Sequence, residues 1–222
     1  MVKRLNRLSK PVDWFNLKNT QPISRLFGFD RGTPIDRYYI EEFLQRHQHL
    51  ISGHILEISE KKYSIKYGRD IQRLDVLDPS QSNSNVTILG DLTNFDTLPR
   101  EKFDCFICTQ TLNIIYDFKK AVQGSYFLLK PNGVMLATVP GLSQISRYDR
   151  DRWGDYWRFT DLSILKIFSE VFGEGHVEVQ TYGNVLSALA FIEGIAVEEL
   201  TKEELDYQDK DYQVSICVKA RK

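Results

Sequence analysis

Long apolar runs are missing from this sequence, and cysteine is scarce in it. No uninterrupted hydrophobic stretch approaches the roughly 20 residues that cross a bilayer, so no membrane span is predicted. Three cysteines, Cys105, Cys108 and Cys217, in 222 residues cannot build a disulfide framework. Cys105 and Cys108 have C-x-x-C spacing, but they lie inside the apolar run 103–108, which reads as a buried strand. A redox dithiol sits at a helix start, and a zinc site needs two further ligands. The four histidines (His47, His49, His54 and His176) share no ligand spacing, so no metal is expected. Charge of one sign is absent too. A formal net charge of −1 leaves no basic field to recruit nucleic acid, and no nucleic-acid partner is expected. The first ten residues are basic, but no apolar signal region follows them. They predict an irregular amino-terminal arm over residues 1–30 and a cytoplasmic protein. Without repeats, low-complexity tracts or linkers, residues 1–222 read as one domain.

What is present is an alternation of short apolar runs with helical periodicity. Ile35, Tyr38, Tyr39, Phe43, Leu44 and Leu50 recur at helical spacing. Thr33 is placed to cap that helix, Pro34 suits its first position, and Gly53 ends it. Residues 54–58, 71–76, 86–89, 103–108 and 134–139 read as strands, with further strands over 176–182 and 212–220. Residues 116–129 and 160–172 read as helices, and 187–200 is amphipathic. Lys130-Pro131-Asn132-Gly133 is a turn signal. The alternation predicts an α/β fold with a mostly parallel sheet covered on both faces. Only a turn or two of helix fits between Glu60 and Gly68, and the polar stretch 78–85 has no room for one. The first crossover helices are therefore short or missing.

In an open α/β sheet, ligands bind outside the carboxyl ends of the strands. Glu57, Ser59, Asp75, Asp91, Thr109 and Gln110 stand at predicted strand ends. A carboxylate there accepts two hydroxyl donors of a ribose, or an adenine amino group. Taken singly, Asp75 and Asp91 are explained as turn formers; three acids at three successive strand ends form a pattern. Glu57 lies in an apolar run, where an unpaired carboxylate is costly.

This pattern resembles the class I S-adenosylmethionine-dependent methyltransferases. Glu57-Ile58-Ser59 is similar to the end of their first strand and the loop that holds the methionine part of the cofactor. Asp75, with Val76 beside it, resembles their ribose-binding acid, and Asp91-Leu92 the residues that meet the adenine. Residues 103–112, with Thr109 and Gln110, resemble the fourth-strand motif, and 129–133 the turn before the fifth strand. The resemblance covers about 53–139. It implies a Rossmann-like, doubly wound, mostly parallel seven-stranded sheet with an antiparallel C-terminal strand. It also implies S-adenosyl-L-methionine as cofactor, bound by Glu57, Ile58, Ser59, Asp75, Val76, Asp91, Leu92, Thr109 and Gln110. Segments 31–39 and 151–160 are similar to bacterial members associated with glycan biosynthesis, which points to a small-molecule or glycan-linked acceptor. The sequence departs from the family in the loop E-x-G-x-G, where Ser59 and Lys61 occupy the glycine positions that let backbone approach the cofactor.

A methyl sulfonium is already activated, so a transferase need only align donor and acceptor and manage one proton. Residues 140–160 follow the fifth strand on the acceptor side and alternate carboxylates and guanidiniums with large aromatics, a composition suited to a sugar. For a hydroxyl acceptor the base candidates are Asp149, Asp151, Asp155 and Tyr156, which the sequence does not rank. A salt-bridged lid anchored by Trp153 and Trp157 explains most of the same residues without chemistry. Arg31, Arg37 and Tyr38 are placed to close over the cofactor from the amino-terminal side, and Arg37 is equally explained as an exposed helix residue. A non-catalytic methyltransferase-like scaffold is the alternative that the lost glycines favour. A nicotinamide dehydrogenase would need a G-x-G-x-x-G turn that is absent.

Overall fold

The computed structural model describes residues 18–222, so positions 1–17 of the predicted arm lie outside the described residues. Seven strands make one sheet: β1 Gly53–Ile58, β2 Ile71–Asp78, β3 Ile88–Leu89, β4 Phe103–Thr109, β5 Leu129–Pro140, β6 Val177–Tyr182 and β7 Ser215–Arg221. Their order is β3-β2-β1-β4-β5-β7-β6. The first five strands pair in parallel, and β7 runs antiparallel to both β5 and β6. The chain winds outward from β1 in one direction and from β4 in the other, so the switch in strand order falls between β1 and β4. The sheet expected from the sequence is the sheet that forms.

Helices α1 Ile35–Arg46, α2 Lys62–Tyr67, α3 Phe118–Leu128, α4 Arg147–Arg150, α5 Asp161–Phe172, α6 Val185–Glu193 and α7 Lys202–Asp206 complete the fold. Alternate residues of a strand face opposite ways, and each face of the sheet carries its own core. Phe103, Phe106, Met135 and Phe168 pack on the α3 and α5 side. Tyr39, Phe43, Ile55, Ile107 and Phe191 pack on the α1 and α6 side. The same alternation separates the two cysteines of the C-x-x-C spacing. Cys105 lies in one core and Cys108 in the other, so they cannot act as a pair. Burial pushes both thiols up, that of Cys108 to about 12.

Helix starts follow local chemistry. Thr160 caps α5 and Asn184 caps α6, each in a capping box, and Asp117 caps α3. Thr33 does not cap α1. Pro34 takes that position without a side-chain bond, and Thr33 instead donates its N–H and hydroxyl to Glu198 at 2.9 and 2.7 Å. Residues 130–133 are not a free turn. They continue β5 through a register shift, with Asn132 at φ 67°. β2 runs two residues beyond its predicted end because Leu77 and Asp78 pair with Ile88 and Leu89 of the short edge strand β3. The crossovers are short as expected, six residues of helix in α2 and none between β2 and β3. Among the described residues no helix is long and apolar enough to cross a membrane.

Candidate functional site

The carboxyl edge of the sheet is built first by the turn after β1. Ser59 adopts φ 59°, the left-handed region in which a side chain costs about 1–2 kcal/mol and glycine costs nothing. The backbone therefore keeps the conformation that a glycine would favour although the residue is serine. Lys61, at the other expected glycine position, is exposed and has negative φ. Glu57 is 2 % exposed and does not face the open edge. Its carboxylate accepts the N–H groups of Tyr63 and Ser64 at 3.0 and 2.7 Å and the Ser64 hydroxyl at 2.5 Å. These are first-turn donors of α2, whose own N-cap, Lys61, supplies no side-chain acceptor. Burial pushes the Glu57 carboxyl up in spite of those bonds. Glu57 is thus a positioning residue that holds the turn against the sheet.

The extension of β2 changes which acid stands at its end. Asp75 is inside the strand and its side chain is 3 % exposed. It accepts from His54 Nε2 at 2.8 Å, Lys102 Nζ at 3.0 Å and Thr87 Oγ1 at 2.9 Å, with Arg73 Nε at 3.4 Å. Burial alone would raise its carboxyl, but the bonds from His54, Lys102 and Thr87 outweigh it and hold the group at about 2. These partners surround the carboxylate within β2, so Asp75 does not stand at the strand end where the sequence put it. Val76 is likewise turned inward: its side chain is in the core, and Thr87 occupies both its N–H and its C=O.

Asp78 occupies the carboxyl end instead. The sequence signal for it was Asp78-Pro79, since proline after an acid marks a strand end. Its two oxygens accept one donor each, Ser80 N at 2.8 Å and Asn83 Nδ2 at 2.9 Å. Asn83 Nδ2 also reaches the Ser59 carbonyl at 2.6 Å, joining the turn after β1 to the loop after β2. Gly90 N donates to the Asp78 carbonyl at 3.1 Å, which brings the third strand end alongside. Asp91 is exposed there, accepting Thr93 N and Oγ1 at 2.8 and 2.9 Å, while Leu92 is buried in the core beneath it. Ser59, Asp78 and Asp91 therefore form one continuous edge across β1, β2 and β3.

Beyond β4 the edge opens into a cavity of about 500 Å³. Gln110, at φ 47° after β4, and Pro140, at the end of β5, form its floor. Eight residues between Ser143 and Arg158 wall one side; Arg25–Phe27, Phe29, Asp36 and Arg37 wall the other. Thr109 ends β4 beside Thr138 and is not among the lining residues. The base candidates differ in their surroundings. Asp155 has a fully buried side chain and accepts Arg158 Nη1 and Nη2 at 2.6 and 2.8 Å and Ser146 N at 2.9 Å. Burial works against it, but Arg158 and the Ser146 amide hold its carboxyl below the usual range. Paired in this way it is a strut within the loop. Asp151 and Tyr156 lie off the cavity, Tyr156 packing edge-on against Tyr116. Asp149 lines the cavity, and its carboxylate makes no ion pair among the described residues.

Of the three residues expected to close over the cofactor, only Arg37 faces the cavity. Arg31 forks onto Glu199, and Tyr38 donates to Asp206 at 2.6 Å. Trp157 is anchored as expected, its indole donating to the Tyr116 carbonyl at 3.1 Å. Trp153 is 47 % exposed and packs on Tyr148, so it is not a core anchor. Sequence reasoning missed Arg25, Asp36, Asn113 and Gln144, which reach the cavity only through tertiary packing.

Residues 52–137 match the family described as a methyltransferase domain. No curated protein matches the sequence. Among solved structures, a methyltransferase from Mesorhizobium loti that depends on S-adenosylmethionine is 16% identical, with a TM-score of 0.57 over 85% of this chain and 100% of that one. A second, from Archaeoglobus fulgidus, is 12% identical, with a TM-score of 0.53 over 84% of this chain and 94% of that one. An N-methyltransferase from Haemonchus contortus, in complex with phosphomonomethylethanolamine and S-adenosylhomocysteine, is 15% identical, with a TM-score of 0.53 over 83% and 52%. At these identities the likeness is one of fold.

Proposed function

We propose that this chain, which carries a methyltransferase domain over residues 52–137, is an S-adenosylmethionine-dependent methyltransferase acting on a hydroxyl of a small-molecule or glycan-linked acceptor. The observation that carries the reading is the run of strand-end groups Ser59, Asp78 and Asp91 leading directly into the cavity at Gln110. The cofactor fits that run. Asp78 keeps lone pairs free after its two bonds and is placed for ribose hydroxyls. Asp91 is exposed for the adenine amino group. Arg37, which has Glu60 and Tyr63 among its ionisable neighbours, stands between the turn after β1 and the cavity, where the methionine carboxylate belongs.

When bound, S-adenosylmethionine supplies an electrophilic methyl group on sulfur. The protein's part is alignment and one proton. Gln110 and Asn113, which line the cavity at the end of β4, would hold and orient the acceptor there. The Asp149 carboxylate, which lines the cavity without an ion-pair partner among the described residues, would accept the proton of an acceptor hydroxyl held there. The Asp155–Arg158 strut holds residues 143–158 in place and excludes water from one wall.

Calorimetric titration with S-adenosylmethionine and S-adenosylhomocysteine tests the reading, with Asp78→Asn as control. Micromolar binding that weakens at least tenfold in the variant supports it. A folded protein that binds neither compound overturns it and leaves the scaffold alternative, to which the serine and lysine in the glycine positions already point.

A further inference from the structure

The cavity walls carry an imbalance of charge and of hydrogen-bonding groups. Arg158 is neutralised by Asp155, but none of the ion pairs among the described residues uses Arg25, Arg37 or Arg147. Among the described residues the hydrogen-bond partner of Arg25 is neutral, Gln21. Against these three guanidiniums stand Asp36, whose burial favours its neutral form, Glu60 on the Arg37 side, and Asp149, which leaves Arg25 and Arg147 in excess. Three buried side-chain atoms on the lining residues also lack hydrogen-bond partners: the donors Gln144 Nε2 and Arg158 Nε, and the acceptor Asn113 Oδ1. Asn113 is 6 % exposed. A buried polar atom without a partner costs about 1–3 kcal/mol, so its presence beside a cavity calls for a ligand that supplies one.

The pattern is specific. Unpaired donors and cations lie along the loop 143–158 and the facing amino-terminal segment, whereas the unpaired acceptor lies near the end of β4, where the methyl group would arrive. We propose that the acceptor is a hydroxylated oxyanion, its carboxylate or phosphate held between Arg25 and Arg147 and its hydroxyl directed at Asn113 and Asp149. This rests on the methyl-transfer reading and narrows it to acidic or phosphorylated acceptors. A neutral sugar of the same size would leave the guanidiniums and the Gln144 donor unmatched; Arg25 and Arg147 are exposed, and each offers a fork of donors that a carboxylate or phosphate matches and a lone hydroxyl does not.

The test titrates protein saturated with S-adenosylhomocysteine with D-glucuronate, D-glucose 6-phosphate, inorganic phosphate and D-glucose. Binding of a charged probe about tenfold or more tighter than glucose, weakened about tenfold in both Arg25→Gln and Arg147→Gln, supports the proposal. The tighter of glucuronate and glucose 6-phosphate names the anion. Unchanged affinity for S-adenosylhomocysteine and an unchanged melting temperature in both variants place the effect at the acceptor. Equal affinity for glucose and the charged probes, or no binding of any anion, overturns the proposal while the bound cofactor product leaves methyl transfer standing. A tenfold loss of S-adenosylhomocysteine affinity in the arginine variants also overturns it, because the guanidiniums then serve the cofactor. Failure of the wild-type protein to bind S-adenosylhomocysteine removes the methyl-transfer reading, and the acceptor proposal with it.

Discussion

Asp75→Asn removes the anion on which Lys102, Arg73 and His54 converge while keeping the shape of the side chain. The carboxyl is held at about 2 against an ordinary value of 3.8. A depressed folded-state value means that the charge contributes stability above the unfolded-state pKa, and that this contribution is lost as pH falls through the folded-state one. Linkage converts the difference into about 2 kcal/mol at pH 7, of which about 1 kcal/mol is gone by pH 3. For a chain of this length the variant should melt roughly 4–8 °C lower at pH 7. The assay is urea unfolding of both proteins at steps from pH 7 to pH 3, followed by the tryptophan signal. The gap between the two curves should narrow on acidification, with most of the change below pH 4. A gap that stays constant over that range, or none at pH 7, would refute the reasoning. The same variant, folded at pH 7, should bind S-adenosylmethionine as the wild type does, because Asp75 faces its partners and not the cofactor edge.

Four further outcomes are expected. Asp149→Asn should lower kcat by about 10²–10³-fold without changing cofactor affinity in calorimetry, as expected for a proton acceptor. Asp155→Ala leaves the Arg158 guanidinium, 26 % exposed, without its anion, which costs about 1–3 kcal/mol; hydrogen exchange should show faster opening confined to residues 143–158. Glu57→Ala strips the first turn of α2 of its acceptor, lowering stability by about 1–2 kcal/mol and weakening cofactor binding several-fold through the displaced turn. Gly124→Ala would place a Cβ 2.0 Å from the Leu92 carbonyl oxygen. Because that neighbour is backbone, the loop after β3 must shift, at about 1–3 kcal/mol by thermal denaturation.

The strands were legible because their apolar runs are short and bounded. Phe103–Thr109 and Val177–Tyr182 fall within one residue of their predicted limits. The ends that were misjudged are those decided by a neighbour. β2 reaches Asp78 only because β3 pairs with it there, and residues 130–133 join β5 through pairing of Leu129 with Phe103 and of Asn132 N with the Lys222 carbonyl. The placing of Asp75 at the end of β2 follows directly from this. An acid two residues short of a strand end and an acid at that end look alike in one sequence, and only the register separates a buried ion cluster from a ligand-facing carboxylate. The cavity was half legible. The loop 143–158 announced itself by composition, but Arg25 and Asp36 arrive from the amino-terminal side by packing of Phe27 against Phe191 and of α1 against α6.

The missing glycines bear on function less through their identity than through what the backbone still does without them. Ser59 holds a left-handed φ under strain, and the strain is sustained because its neighbours over-determine it: its N–H donates to the Leu77 carbonyl at 3.0 Å and its own carbonyl is held by Asn83. Asn83 in turn engages Asp78, so the loop that replaces a crossover helix is closed by the acid that would meet the ribose. A single side chain therefore couples the two losses that set this sequence apart, the glycine of the first loop and the helix of the second crossover. The edge formed by Ser59, Asp78 and Asp91 stands as an alternative solution to the same backbone geometry, in which side-chain hydrogen bonds do what glycine and helix packing otherwise do.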